Sequence, residues 1–445
     1  MSEQAPTDLA ALGERVLELV GDRAEAEVGV SAGRRAITRF ANSHIHQNVA
    51  EEHLGVRLRL ASDGRLAGSS TNRTDAAGLE RLVETTFAAA ALRPRDERWP
   101  GVAPPAAAPL VDHWDPATAS APAEHRADVV RAFVDAGPDL SGAGYCSSDG
   151  HDAFFANSAG QRLAGRTSHA TVDGIQRVLS AGADGSGWQS EVALGAIDGR
   201  AAGAAAAARA RAGADAVDLP PGHYQVVLEP ACVADLLDFL VGYGFSAKDH
   251  AEGRSVVRLG ELQFDPAISI VDDATDPRAP SLAFDAEGTP RRRLDLVRAG
   301  APVSLLHDRR TAAQAGAEST GHGVVGGESY GPAPSTVVLD PGGSDPAGLI
   351  AGVDRGLLVS EFWYTRILDP KTQVVTGLTR NGVSLIEGGE VTRGVRNLRF
   401  TQSYAEALAP GNVLAVGSDA RLRGCDAIVP SLHLASWHFT GGARG

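Results

Sequence analysis

VDLPPGHYQVVLEPACVADLLDFLVGYG, residues 217–244, is the stretch on which the reading of the fold turns. Its first residues, Val217 to Gly222, end an Ala/Arg helix that runs from Ile197 to Ala214, because Pro220 and Pro221 cannot continue it. Gln225 to Leu228 then reads as a short apolar strand, and a helix begins at Pro230. Beyond it lies a long Gly/Pro/Asp-rich run of short strands. Helices and strands mix without a βαβ rhythm, so the expected class is α+β, with mixed sheets and packed helices. The boundary is expected here, giving an amino-terminal α+β unit over 1–216 and a β-rich unit over 217–445.

Working back toward the amino terminus, Thr7 to Val20 carries Leu9, Leu12, Val16, Leu19 and Val20 at helical spacing behind a Thr/Asp cap. Short strands are expected at 26–30, 36–40, 55–60 and 66–70, with Asp63-Gly64 turning the last two into a hairpin. Asp75 to Ala91 is a second amphipathic helix. Arg93 to Pro122 holds seven prolines and no periodicity, and reads as a loop crossing the surface or linking subunits. Glu124 to Asp135 is helical. Tyr145 to Leu179 alternates again, with Ser148-Asp149-Gly150 and Ser158-Ala159-Gly160 as turns.

Composition narrows the function. The 445 residues are enough for two domains, and 43% hydrophobic with 22% charged residues describes an ordinary globular protein. Forty-one basic residues against 55 acidic give a formal charge of −14. No basic cluster exceeds Arg291-Arg292-Arg293, so no nucleic-acid partner is expected. The acidic balance points to basic or neutral ligands. No apolar run approaches membrane length, and MSEQAPTDLA lacks the features of a signal peptide. Cys146, Cys232 and Cys425 form no disulfide framework, and the expected location is the cytoplasm.

Several chemical motifs fail on context. Gly321-His322-Gly323-Val324-Val325-Gly326 matches the dinucleotide pattern, but no strand leads into it and Gly-Pro follows. Gly327-Glu328-Ser329-Tyr330-Gly331 matches the nucleophile elbow, yet Pro332 and Pro334 forbid the helix that motif needs, so a loop is expected. His44 and His46 share a strand face near His53 without a third ligand at fixed spacing, and read as exposed strand residues. Asp272, Asp273, Asp276, Asp285 and Glu287 lack calcium-loop spacing.

A set of ordered motifs carries more. VVLEP (226–230), LLDFLVGYG (236–244), GRS (253–255), SIVDDATDP (269–277) and FDAEGTPRR (284–292) come first. HDRRTA (307–312), STGHG (319–323), ESYGPAPS (328–335) and VTGLTRNGVSLIEGGEVTRGVRNLRF (375–400) follow. With TRFANSHIHQN (38–48) and VRLRLASDGRLAGSSTN (56–72), they make the chain similar to the TldD/TldE (PmbA) proteins along nearly its whole length. The resemblance implies a two-domain fold and a heterodimeric zinc peptidase acting on unfolded peptides, including the maturation of peptide natural products. In TldD, two His of an HExxxH helix and a carboxyl-terminal Cys hold zinc, and the Glu is the general base.

Laid on this chain, that motif puts Asp238 and Tyr243 at the ligand positions, Phe239 at the base and Cys425 near the thiolate. Phe239 cannot take a proton, so the resemblance is closest to the TldE/PmbA-like subunit that lacks the zinc site. No catalytic, metal or cofactor residue is then expected in this chain. Zinc is expected in a TldD-like partner subunit, with a second copy of this chain as the other pairing. The plain reading of the same helix is scaffold: Leu236, Leu237 and Leu240 make an apolar stripe, and Asp238 and Tyr243 project in different directions. Two further readings stand beside it. One is a stand-alone hydrolase using Ser329 or Cys425 with a His such as His322. The other is a homodimeric peptide-binding scaffold without proteolysis.

Overall fold

The computed structural model describes residues 8–442; the MSEQAPT start lies outside them. Six strands, β1 (Glu25–Ala41), β2 (His44–Ser62), β3 (Arg65–Thr71), β4 (Ser141–Asn157), β5 (Arg162–Val178) and β6 (Ala183–Glu191), form an antiparallel sheet ordered β3-β2-β1-β4-β5-β6. The expected short strands at 26–30 and 36–40 are one 17-residue strand. The polar residues between them, Ser31 to Arg35, pair with β2 on one side and β4 on the other, and that ladder holds them extended. Ser148-Asp149-Gly150 corrects a turn in the same way. It runs inside β4, hydrogen-bonded to both β1 and β5, whereas Ser158 to Gly160 does turn the chain into β5.

Side chains on a strand alternate between faces, and here the alternation separates a core from a polar wall. Val28, Val30, Val56, Leu58 and Leu60 face α1 (Leu9–Val20) and α2 (Ala76–Ala91). Asp8 and Asp75 cap these helices, accepting from Ala11 N and Gly78 N. Toward the other end, Phe40, Cys146, Ala170 and Val172 face α4 (Ala123–Asp135) and α5 (Gly199–Ala212). Between α2 and α4 the loop makes one short helix, α3 (Pro116–Ala119). Gly187 lets α5 lie directly on β6, since a Cβ there would sit 1.9 Å from the Ala202 carbonyl oxygen. The opposite face of the sheet carries Arg35, Arg57, Arg59, Tyr145, Asp149, His169 and Asp173.

Past α5 the chain makes a bridge from Val217 to Val395 and enters the second half. One sheet there has β7 (Gly222–Leu228), β12 (Arg355–Val359), β13 (Phe362–Asp369), β14 (Val374–Thr379), β15 (Val383–Glu387), β16 (Glu390–Gly394), β17 (Leu398–Ser403), β18 (Val413–Val416) and β21 (Leu432–Gly442). The other has β8 (Ile270–Asp272), β9 (Leu294–Arg298), β10 (Ala301–Pro302), β11 (Val337–Leu339), β19 (Arg421–Arg423) and β20 (Ala427–Val429). Helix α6 (Pro230–Gly244) packs between them, touching β7 and β13 of one and β11, β19 and β20 of the other. Cys232, Val233, Leu236, Leu237, Leu240 and Val241 are accordingly fully buried. The architecture is α+β. No helix among the described residues is long and apolar enough to cross a membrane.

The polar wall of the first sheet faces this second half and is tied to it. Arg59 donates to Glu27 (2.8 Å) on its own sheet and to Glu287 (3.1 Å) across the gap. Burial pushes Glu27 up to about 7 against the pull of Arg59, and the nearby charge of Glu287 adds to the rise. His113, in the long proline-rich segment, is buried with Nδ1 2.8 Å from the Ser281 carbonyl, so that segment is clamped between the halves.

Candidate functional site

Between the polar wall and α6 lies a cleft of about 720 Å³. On α6 its lining includes Ala231, Ala234, Asp235 and Asp238, spaced so that they share one helix face. Across from them stand Arg35 of β1, Tyr145, Ser147 and Asp149 of β4, and His169, Thr171 and Asp173 of β5. The β19–β20 hairpin closes one side with Arg423, Cys425 and Asp426, and Gly424 takes the left-handed turn (φ +64°) between them.

The four positions singled out from the sequence separate here. Asp238 and Cys425 line the same cleft. Phe239 and Tyr243 do not. They lie four residues apart on another face of α6, stacked with ring centroids 6.2 Å apart, and Phe239 meets Tyr404 edge-on at 6.1 Å. Phe239 is half-buried against the core, and Tyr243 is 40% exposed. Among the described residues no three His, Cys, Asp or Glu side chains come together as a metal site. The helix positions that the resemblance assigns to zinc and base therefore do not suit zinc chemistry. One position is hydrocarbon and another is turned out of the cleft.

What the cleft does hold is a set of perturbed carboxyl groups. Asp235 Oδ1 accepts from the Tyr404 hydroxyl (2.9 Å) and Oδ2 from Thr365 Oγ1 (2.7 Å). Burial nonetheless pushes Asp235 up to about 6, with the charge of Asp238 adding to the rise. Asp238 is raised by burial alone. Asp426 is raised by burial and then by Asp238. Cys425 follows the same pattern, its thiol raised by burial and then by Asp426 and Asp149. Cys425, Asp238 and Asp426 are open to solvent through the cleft while protein surrounds them on most sides. Burial also lowers His169. Two arginines offset the acids: Arg35 Nε lies 3.4 Å from Asp149, and Arg423 donates to Asp173 at 2.7 Å while lying over the Trp188 ring.

The serine alternative does not assemble. Gly327–Tyr330 forms a single helical turn rather than the expected loop, and Ser329 is exposed on it. His322 is fully buried, with Nδ1 2.8 Å from Thr320 Oγ1 and Nε2 3.1 Å from Asp272 Oδ1. The acidic segment is likewise committed inside the chain. Asp273 accepts from Thr275, Asp276 pairs with Arg278, and Asp285 accepts from the backbone of Glu287, Thr289 and Gly323. His44 and His46 are exposed, as read from the sequence, while His53 stacks on His151 at 5.8 Å.

Sequence reasoning missed Asp235, Asp149, Asp173, His169, Arg35 and Arg423. Asp235 carried a usable signal, since a second carboxylate three residues before Asp238 interrupts an otherwise apolar helix. The others come from distant strands whose convergence no local spacing encodes.

Two family models match the chain: PmbA/TldA metallopeptidase domain 1 over residues 26–90, and the PmbA/TldA metallopeptidase C-terminal domain over 221–441. A curated relative, a metalloprotease of Methanothermobacter thermautotrophicus, is 29% identical over 214 residues, 46% of this chain and 44% of that protein. Metalloprotease MJ0996 of Methanocaldococcus jannaschii is 31% identical over 107 residues, 23% of this chain and 24% of that one. The matches thus span less than half the length of these relatives. Among solved structures, TldE from Thermococcus kodakarensis superposes with a TM-score of 0.88 at 19% identity, over 97% of this chain and 99% of that one, a likeness of fold.

Proposed function

The chain belongs to the PmbA/TldD metallopeptidase family, and from that premise we propose that it is the TldE/PmbA-like, non-catalytic subunit of a two-chain zinc peptidase acting on unfolded peptides. The carrying observation is the surface of α6. The base position, Phe239, packs against Tyr404 and Tyr243, so the helix spends that face on packing rather than on water activation. Zinc, held by a TldD-like partner, would supply an acidified water. This chain's residues do other work.

They wall a cleft and fix its electrostatics. Arg35 and Arg423 hold Asp149 and Asp173 in place. Asp238 and Asp426 offer oxygens to peptide N–H groups, and strand edges along the cleft are available to pair with an extended backbone. The two units meet at 216/217 in this reading. Free, buried Cys146 and Cys232 accord with a reducing cytoplasm.

The test is elemental analysis of the chain purified alone, followed by mixing with an HExxxH-bearing family member. The reading expects substoichiometric zinc and peptide hydrolysis only in the mixture. One firmly bound zinc per chain that is lost on Cys425→Ala would overturn it, as would hydrolysis by the chain alone.

A further inference from the structure

A second cavity, of about 700 Å³, opens at the β3 end of the first sheet, on the face turned toward the second half. Its charge is opposite to that of the cleft. Six arginines line it, Arg57, Arg59, Arg93, Arg95, Arg98 and Arg310, against the carboxylates of Asp96, Glu97 and Glu328. In a chain of formal charge −14 that concentration is the reverse of the average surface.

Two of the arginines are already engaged. Arg59 serves Glu27 and Glu287, and Arg310 is paired with both oxygens of Asp96. Arg57 is not. Among the described residues its side chain makes one hydrogen bond, from Nη2 to the Ala286 carbonyl (2.8 Å), and no carboxylate lies within ion-pair distance. A guanidinium has five donors in a fixed fork, so a mostly buried one with a single acceptor is poised for a bidentate anion. Small residues keep the space in front of it open: Arg57 and Arg59 pair across the ladder with Ser70 and Gly68.

The backbone beside Arg57 is also unspent. β3 is the end strand of its sheet, and Leu66 to Ser70 line the cavity without a break. Successive strand residues point to opposite faces, so five in a row can line one cavity only along the strand's edge. Among the described residues no backbone group of 66–70 bonds to anything outside the ladder with β2. An open edge of this kind accepts an added strand.

A third cavity, of about 680 Å³, links the two ends. It shares Arg57, Ser70 and Val325 with the arginine-lined cavity and Ser335, Cys425 and Asp426 with the acidic cleft. We propose that the three form one peptide groove, in which the arginine-lined end binds a carboxylate of an extended peptide through Arg57 and the β3 edge. The groove then selects peptides that carry a carboxylate, from a side chain or from the carboxyl terminus, at that end. The proposal rests on the reading of this chain as a peptide-binding subunit, and it departs from the basic-or-neutral ligand that net charge alone suggests.

Isothermal titration of the isolated full chain tests it with three peptides of one neutral sequence: a free carboxyl terminus, a terminal carboxamide, and the carboxamide with one Glu. The expected result is at least about tenfold tighter binding of one or both carboxylate peptides than of the plain carboxamide. Which of the two binds identifies the carboxylate's source. Arg57→Gln should erase the preference. Ser70→Glu, at an exposed edge position, should do the same by supplying an internal carboxylate, and it guards against a misfolded Arg57 variant. N-methylation of alternate peptide amides should weaken binding if the β3 edge pairs. Equal binding of all three peptides overturns the carboxylate site and leaves the peptide-subunit reading standing, whereas no binding of any overturns both. Inorganic phosphate that competes as well as the carboxylate peptide overturns the proposal in favour of a phosphate site, and unchanged affinity of the N-methylated peptide overturns the role of the edge.

Discussion

Replacing Asp235 by Asn should change the pH dependence of stability in a definite direction. The native carboxyl is pushed from 3.8 up to about 6, chiefly by burial, with the Thr365 and Tyr404 hydroxyls pulling it back and Asp238 adding to the rise. A carboxyl with a raised native pKa is held more tightly protonated in the folded state than in the unfolded one. Its contribution is therefore full below about pH 4 and is lost as pH climbs to about 6. At about 1.4 kcal/mol per unit, the loss is about 3 kcal/mol. Asn does not titrate. Its carbonyl accepts from one hydroxyl and its amide donates to the oxygen of the other, so any mismatch adds a pH-independent offset of about 1 kcal/mol. Urea unfolding of both proteins from pH 4 to 7.5, with m unchanged, should show the Asn variant gaining on the wild type by about 1.4 kcal/mol per unit between pH 4 and 6, then levelling. Asp285 and Glu27 titrate in both proteins and cancel in the difference. A difference that is flat across this range, or that falls with pH, would refute a buried, proton-retaining Asp235.

Trp437 is fully buried among Phe362, Phe400 and Tyr404, so Trp437→Ala should cost about 3–5 kcal/mol in the same unfolding assay. Trp437→Phe should cost far less, because it keeps an aromatic ring and removes an indole N–H that has no partner among the described residues. Gly187→Ala forces a methyl to 1.9 Å from the Ala202 carbonyl and should lower stability by at least about 2 kcal/mol, with α5 exchanging its amide hydrogens faster. A thiol reagent should modify one cysteine, Cys425, in the native chain and three after unfolding. The native reaction should be slow at neutral pH and quicken as pH rises, since burial and the flanking carboxylates keep Cys425 a thiol.

Periodicity, proline and cap residues are local properties, and what they govern was legible in the chain itself. The helices α1 and α2 follow from apolar spacing, α5 from its Ala/Arg run and the prolines beyond it, and α6 from its start at Pro230. The α+β class follows from the absence of a βαβ rhythm, and family membership from motifs in order. The lack of a carboxylate at Phe239 is equally a fact of sequence. Strand length was not legible, because Ser31 to Arg35 and Ser148 to Gly150 are held extended by neighbours on both sides rather than by their own propensities. Helical spacing alone turns Tyr243 away from Asp238, but only the tertiary structure could bring Cys425 into the cleft that Asp238 lines, from nearly two hundred residues on. It also set the acids of the cleft against the arginines at the β3 edge. Those charges come from strands and loops far apart in the chain, and their desolvation, which sets their chemistry, exists only once the two halves have closed on each other.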